Sequence, residues 1–407
     1  ADAAGFASFL TGQPENLEPL TKGGPMRWTQ PINTKGKLST DVTSPYVVDS
    51  ITWPDSNPWN AWMRFGGFDF FADGKRAALC TWSGDVWIVS GIDEKLENLT
   101  WKRFATGLYH TLGLEIVDET IYVLGRDQIT RFSDLNNDGE ADYYENFNNE
   151  CIVTPNFHEF ALDLKADKDG SFYFGKGAPV VSGGPGFERI SAHSGTMLKV
   201  SKEGKLEVFA TGLRAPNGIC VGPNGEITSG DNQGSWMPLC PIQFVKKGGF
   251  YGVVECAHMP VAPVKRETPL LWLPMQADNS NGCQVWVTSD KWGPLQGQML
   301  HLSYGMCSLY NVMYENVGDV QQGAAVRFPV NFASGIMRAR FNPADGQLYV
   351  AGLKGWQTTG NLDGCFQRVR YTGKSVCMPN KFNVTKTGVD ITYTSPLDPA
   401  SAADARG

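Results

Sequence analysis

A short unit recurs six times along the chain: a Gly-containing turn, an apolar run, a corner and a second apolar run. The corners are Asp73-Gly74 before AALCTW, Asp118 before TIYVL, Asp169-Gly170 before SFYFG, Asn224-Gly225 before EITSG, and Asp345-Gly346 before QLYVAG. In the remaining unit the first run, Cys283 to Val287, is separated from Met299 to Leu302 by the insertion SDKWGPLQGQ. Two units share a phrase, FATGLYHTLGLEIV at 104–117 and FATGLRAPNGICVG at 209–222, which begin 105 residues apart. A period of about 50 residues with several short strands per unit predicts a radial array, because one such sheet cannot bury both faces alone. The expected fold is all-β, a six-bladed β-propeller whose innermost strands converge on one central tunnel.

Such a ring takes up most of the 407 residues as a single closed unit. The spacing predicts an extended N-terminal arm or linker over 1–45, rich in Pro, Gly, Thr and Lys. The propeller follows over 46–396 and a small-residue tail over 397–407. Two inserts break the rhythm, Ala178 to Gly195 and Trp236 to Ser280, and long structureless inserts of this kind are read as lids or binding loops. The 46 glycines and the 19% of charged residues suit many strands joined by tight turns. A net charge of −7 without a basic run argues against a nucleic-acid partner, and the absence of 18 consecutive apolar residues argues against a membrane span. The opening ADAAGF fits a processed or trimmed N-terminus.

The cysteines number nine, and none lies in a CxxC or CxxCH pattern, so neither a zinc knuckle nor a covalently attached haem is expected. Cys80 reads as a buried small hydrophobe. Cys365 with Cys377, and Cys240 with Cys256, are candidate disulfide pairs for an oxidising compartment, and the expected location is extracytoplasmic, periplasmic or secreted.

Residues 134–145, DLNNDGEADYYE, place Asp134, Asn136, Asp138, Asp142 and Glu145 at the first, third, fifth, ninth and twelfth positions of a calcium loop, with Gly139 at the sharp turn. The Glu140 carbonyl completes the predicted ligand set. Strand-like flanks, QITRF and ENF, predict a hairpin loop in which the ion pins a blade corner. The alternative is an empty Asn-Asp-Gly turn.

Residues just before each innermost strand should point over one mouth of the tunnel. They are Arg64, Tyr109 with His110, His158, Arg214 with Asn217, Asn279 with Asn281, and Arg338 with Arg340. A ring of cations and imidazoles clamps carboxylates or phosphates through charge-assisted hydrogen bonds, and an imidazole can take a hydroxyl proton. The alternative is that these groups satisfy strand-end carbonyls. Trp236, Trp292 and Trp356 are candidates for stacking on a sugar ring or for filling gaps between blades. No tight His/Asp spacing supports a transition-metal site.

The run FHEFALDLKADKDGSFYFGKG resembles the His-bearing blade of the PQQ-dependent sugar dehydrogenases. GLRAPNGICVGPNGEI, FVKKGGFYG, WGPLQGQMLHLSYG and GIMRARFNPADGQLYV are similar to successive blades of that superfamily, in order, over about residues 60–375. A closer resemblance, carried by PYVVDSITWPDSNPWNAWMRFGGFDFFADG, DLNNDGEADYYENFNNE and FHEF, is to the propeller region of bacterial membrane-bound dehydrogenase-like or haem-binding proteins, which often carry a cytochrome c module. The superfamily resemblance implies a quinone cofactor, PQQ, over the tunnel mouth, held by arginines, with His158 taking a sugar hydroxyl proton as hydride passes to the quinone. His158, Arg214 and Arg338 match that pattern. Ala215 stands where an Asn is found, Arg340 is out of register, and Ser303, Tyr304 and Gly305 occupy the place of a lysine.

The expected function is that of a secreted sugar or alcohol dehydrogenase passing electrons to a cytochrome c. Its catalytic pair would be His158 and Arg214, its cofactor residues Arg64, His110, Asn217, Arg338 and Arg340, and its substrate contacts Trp236, Trp356 and Asn281. A cofactor-free propeller that binds glycan or protein, and a calcium-dependent hydrolase or lyase, are the alternatives.

Overall fold

The structure, a computed structural model, describes residues 15–355 and 357–403. Six antiparallel sheets each contain four successive ring strands, and the alternation of apolar runs and tight corners explains their order. Their inner strands are Phe65–Phe70, Gly113–Val117, Ala161–Ala166, Ile219–Val221, Asn281–Trp286 and Ile336–Phe341. Each inner strand packs beside the next, and the sixth packs beside the first, so the ring is closed. Close approach at the centre demands glycine: a Cβ on Gly67 would lie 2.6 Å from the Leu114 amide nitrogen, and one on Gly113 would lie 2.6 Å from the carbonyl carbon of Asp163.

Each of six apolar clusters lies between neighbouring sheets, as the radial reading requires. Phe68 and Trp87 of the first blade meet Phe366 and Tyr349 of the sixth, and Cys80 meets Leu114 and Phe132 of the second. Ile129 meets Phe172 and Phe174, Met197 meets Ile219 and Ile227, and Ile242 meets Trp286 and Met299. The fifth and sixth blades join through Leu300, Leu309, Ile336 and Val350. Cys80 is fully buried there, as expected of a small hydrophobe.

Ring closure uses the start of the chain. Tyr46–Ser50 is the outermost strand of the sixth blade, antiparallel to Gly364–Tyr371, with Tyr46 opposite Tyr371 and Asp49 opposite Arg368. Asp49 is fully buried and accepts from Arg368 Nη2 at 2.9 Å and Arg370 Nε at 2.8 Å. Arg368 also donates to the carbonyls of Asp93 and Glu94 in the first blade, at 3.0 Å each, so one guanidinium joins the last blade, the closing strand and the first blade.

Several expectations need correction. The arm is structured in part: Ile32–Thr34 pairs with Leu99–Ala105 as a fifth strand of the first blade. The segment 236–280 is no structureless insert, since Cys240–Phe244 and Leu271–Leu273 complete the fourth blade. These strands are short and are separated by polar and Pro-containing sequence, which hid their period. Neither cysteine pair is joined, and all nine thiols are free. Cys365 faces the core between the fifth and sixth blades, whereas Cys377 lies exposed beyond its strand. Trp292 is fully buried, donates to the Val369 carbonyl and packs on Tyr46, so it fills a gap between blades. Beyond the ring, Pro379–Val384 and Val389–Tyr393 form a separate hairpin, and Pro399–Ala402 makes one helical turn. Among the described residues no helix is long and apolar enough to cross a membrane.

Substitution Asp49→Ala removes the nearer carboxylate of buried Arg368, leaving only Asp345 at 3.7 Å, and the expected loss is about 3 kcal/mol. Burial raises the Asp49 pKa, but the Arg370 hydrogen bond, the Ser39 amide and the two guanidinium charges outweigh it and hold the carboxyl below its ordinary value of 3.8. Its contribution is therefore present above about pH 4 and is lost as pH falls through the depressed folded value. Urea midpoints of wild type and D49A at pH 7 and in strong acid test this: the gap should narrow in acid.

Candidate functional site

An antiparallel hairpin brings the entry of its inner strand and the exit of its second strand to the same end. At one mouth of the ring these ends enclose a cavity of about 840 Å3. Its floor is apolar: Leu112, Leu162, Met337 and Leu353 cluster there with Trp82, Phe160 and Tyr304. The walls carry His158, Arg214, Asn217, Asn232, Gln233, Asn279, Ser280 and Gln357. The insert after the third blade's second strand covers one side with Val180, Val181, Gly183, Gly184 and Pro185, as expected of a binding loop.

His158 precedes the third inner strand, and its amide donates to the Asn156 side chain at 2.8 Å, which fixes the loop. Its Nδ1 is buried without a partner among the described residues. Burial, then the charges of Arg214 and Arg126, lower its pKa from 6.5 to about 4, so the ring is neutral at physiological pH and can accept a hydrogen bond. Arg214 precedes the fourth inner strand and is only 5% exposed. Asp231 takes the Arg214 and Ala215 backbone amides at 2.8 and 2.6 Å, anchoring the turn. The guanidinium itself has no carboxylate within ion-pair distance among the described residues, and its Nε has no acceptor. Gly234, at φ +144°, lies flat against it: a Cβ there would sit 2.3 Å from Nε. Asn279 adds a third buried polar atom without a partner, its Oδ1.

The other predicted residues fall into distinct places. Asn217 lines the cavity and ties it to the tunnel, donating to the Asn281 carbonyl at 2.6 Å and accepting from Arg338 Nη1 at 2.9 Å. Asn281 is 1% exposed, donates to the Pro241 carbonyl and stands behind the wall. His110 lies outside the lining, stacked on Trp82 at 4.4 Å and on Tyr109 at 4.3 Å. Arg64 stacks over Trp62 and donates to the Lys354 carbonyl at the rim. Trp236 is 52% exposed, bonded to Glu255 and outside the lining. Trp356 lies outside the described residues.

Arg338 and Arg340 do not project over the mouth. Both belong to the sixth inner strand, and their side chains reach across the tunnel below the apolar floor. Arg338 pairs with Asp163 at 3.3 Å and donates to the Leu112 carbonyl. Arg340 pairs with Asp69 at 3.1 Å and with Glu115 at 2.6 Å. Burial opposes the Arg340 charge, but those carboxylates outweigh it and raise its pKa further. These cations are committed to joining blades.

Residues 134–142 form the predicted hairpin loop between Ile129–Ser133 and Tyr143–Asn148, so Glu145 belongs to the second strand. Asp134 and Asn136 both accept from the Asp138 amide, and Asp138 accepts from the Glu140 amide. Glu145 is turned away onto Arg131. The Glu140 carboxylate and Asp142 hold the arm through the amides of Arg27, Trp28 and Gly24. No group of three metal-ligating His, Cys, Asp or Glu side chains occurs among the described residues.

Sequence reasoning missed Trp82, Asn232, Gln233 and Tyr304. Each lies within three residues of the end of a second strand, so the exit ends of the hairpins carried the signal.

No family model matches the chain. No curated protein matches it either. Among solved structures, a Thermus thermophilus protein described as a glucose dehydrogenase superposes with a TM-score of 0.59 at 17% identity, covering 80% of this chain and 99% of its own. The soluble aldose sugar dehydrogenase of Escherichia coli gives 0.59 at 13%, over 80% and 99% of the two chains. The PQQ domain of pyranose dehydrogenase from Coprinopsis cinerea gives 0.56 at 10%, over 85% and 98%. At such identities the likeness establishes the fold alone, a β-propeller.

Because the folded state keeps His158 unprotonated until about pH 4, stability should fall as pH drops from 6.5 toward that value, where only the unfolded chain takes the proton. Variant H158Q lacks this term. Its urea midpoint should therefore decline less than that of wild type between pH 7 and pH 5.

Proposed function

We propose that this chain is a dehydrogenase-like propeller that binds a small hydroxylated molecule, of sugar or alcohol type, in the cavity at the tunnel mouth. Arg214 holds the ligand's polar head, and the His158 imidazole accepts a hydrogen bond from its hydroxyl. The observation that carries this reading is that His158, Arg214 and Asn279, each with a buried polar atom lacking a partner among the described residues, line a single cavity. Unsatisfied buried polar groups are costly and cluster where a ligand completes them.

Oxidation at this site needs an electron acceptor, and PQQ is a tricarboxylate. Among the described residues the lining offers one guanidinium and no lysine, and Arg338 and Arg340 are already paired with acids of other blades. The residues present do not match a PQQ clamp. That mismatch favours, as the second reading, a cofactor-free binding propeller. The resemblance to haem-associated bacterial proteins supports an extracytoplasmic location and a cytochrome c partner.

The test is calorimetric titration with sugars, alcohols and hydroxy acids, beside thermal melting with micromolar PQQ. The expected result is saturable binding that weakens at least about tenfold in H158A and R214Q, about 1.4 kcal/mol. PQQ is expected to leave the melting temperature unchanged. A saturable PQQ shift with dye reduction would restore the quinone enzyme, and no binding by any compound would sink the ligand-site reading.

For calcium, the loop would use Asp134, Asn136, Asp138, Asp142 and the Glu140 carbonyl, with Glu145 outside the set. Such an ion stabilises by linkage, and millimolar calcium is expected to raise the melting temperature by about 2 °C or more in wild type and not in D134A. An unchanged wild-type melt would remove the assignment.

A further inference from the structure

The charge balance around the cavity is unusual. Arg214 is buried and fixed between two loops, with Gly234 flat against it and the Gly184 carbonyl 3.5 Å from Nη2. An uncompensated buried guanidinium is costly, and a carboxylate is the partner that removes the cost through paired, charge-assisted hydrogen bonds. The acid whose field reaches it, Asp231, is itself buried and turned onto backbone amides. No Asp, Glu or Lys among the described residues lines the cavity.

The count of available positive charge stops there. Arg126, which with Arg214 depresses the His158 pKa, already donates to the Thr154 and Asn156 carbonyls and packs near Phe160. Arg64 is held by the Lys354 carbonyl. The imidazole of His158 is neutral above about pH 4. One cation therefore faces a floor made by Trp82, Leu112, Phe160, Leu162, Met337 and Leu353. A free sugar, polar on every edge, leaves its hydroxyls unsatisfied against such a floor.

Resting on the reading of this cavity as a ligand site, we infer that its occupant is a monoanionic hydroxy acid with an apolar body: the carboxylate on Arg214, the hydroxyl at the His158 imidazole, and an aromatic or branched aliphatic group on the floor. The amides of Asn232, Gln233 and Gln357 frame the head group from the rim. The ligand's charge complements the single guanidinium, and its body replaces water over the apolar cluster.

Calorimetric titration of the full chain with phenyllactate, with its neutral counterpart 3-phenylpropane-1,2-diol and with glucose tests this. Phenyllactate is expected to bind at least about tenfold more tightly than the diol, with glucose weakest. R214Q should erase the preference for the acid, and R214K, which keeps the charge, should retain part of it; the second variant serves where the first folds poorly. Equal or tighter binding of the diol or of glucose overturns the inference and leaves the cavity a ligand site. An undiminished preference in R214Q also overturns it. No binding of any of the three at millimolar concentration removes both readings.

Discussion

Ring closure through Asp49 is the contact on which the rest of the structure depends. A radial array whose last sheet stayed three-stranded would expose a sheet edge and leave the first and sixth blades free to part. The strand Tyr46–Ser50 fills that edge, and its one carboxylate meets two guanidiniums while Arg368 reaches on to the carbonyls of residues 93 and 94. Every inner strand keeps its position at the axis only while the ring is shut. The cavity, whose walls come from all six blades or their connections, inherits its shape from that closure.

Along the axis, charge and apolar surface alternate in layers. Two arginines of the sixth blade meet acids of the first, second and third blades inside the tunnel, in low dielectric, where such pairs are strong but must be complete. Above them lies an apolar floor, and above that a polar wall with one unpaired guanidinium and a neutral imidazole. Arg214 and Arg338 are both buried arginines set near the start of an inner strand, yet their roles differ. Arg338 has found Asp163, whereas Arg214 faces the cavity without a counter-charge. The first joins blades and the second is available to a ligand.

Much of the fold was legible in the chain. The corners at Asp73-Gly74, Asp169-Gly170 and Asn224-Gly225 mark turns between inner and second strands, and all three glycines take positive φ. Entry residues His158, Arg214, Asn217 and Asn279 reach the cavity because antiparallel geometry places strand entries at one end. The fourth blade's outer strands were hidden, since runs of five and three residues separated by polar sequence carry too little alternation to register as strands. For Trp292 the sequence left sugar stacking and gap filling both open because its neighbours along the chain are polar, and its neighbours in space, Tyr46 and Phe328, decide for gap filling.

The sequence by itself determined the repeat, the all-β class, the turn positions and which strand ends gather at one mouth, because these follow from local periodicity and turn chemistry. Only the tertiary structure decided which polar groups there are free. Asp163 lies 175 residues from Arg338 and Glu115 lies 225 from Arg340. Whether a buried cation is neutralised depends on distances of a few ångströms across the axis, and no pattern along the chain encodes them.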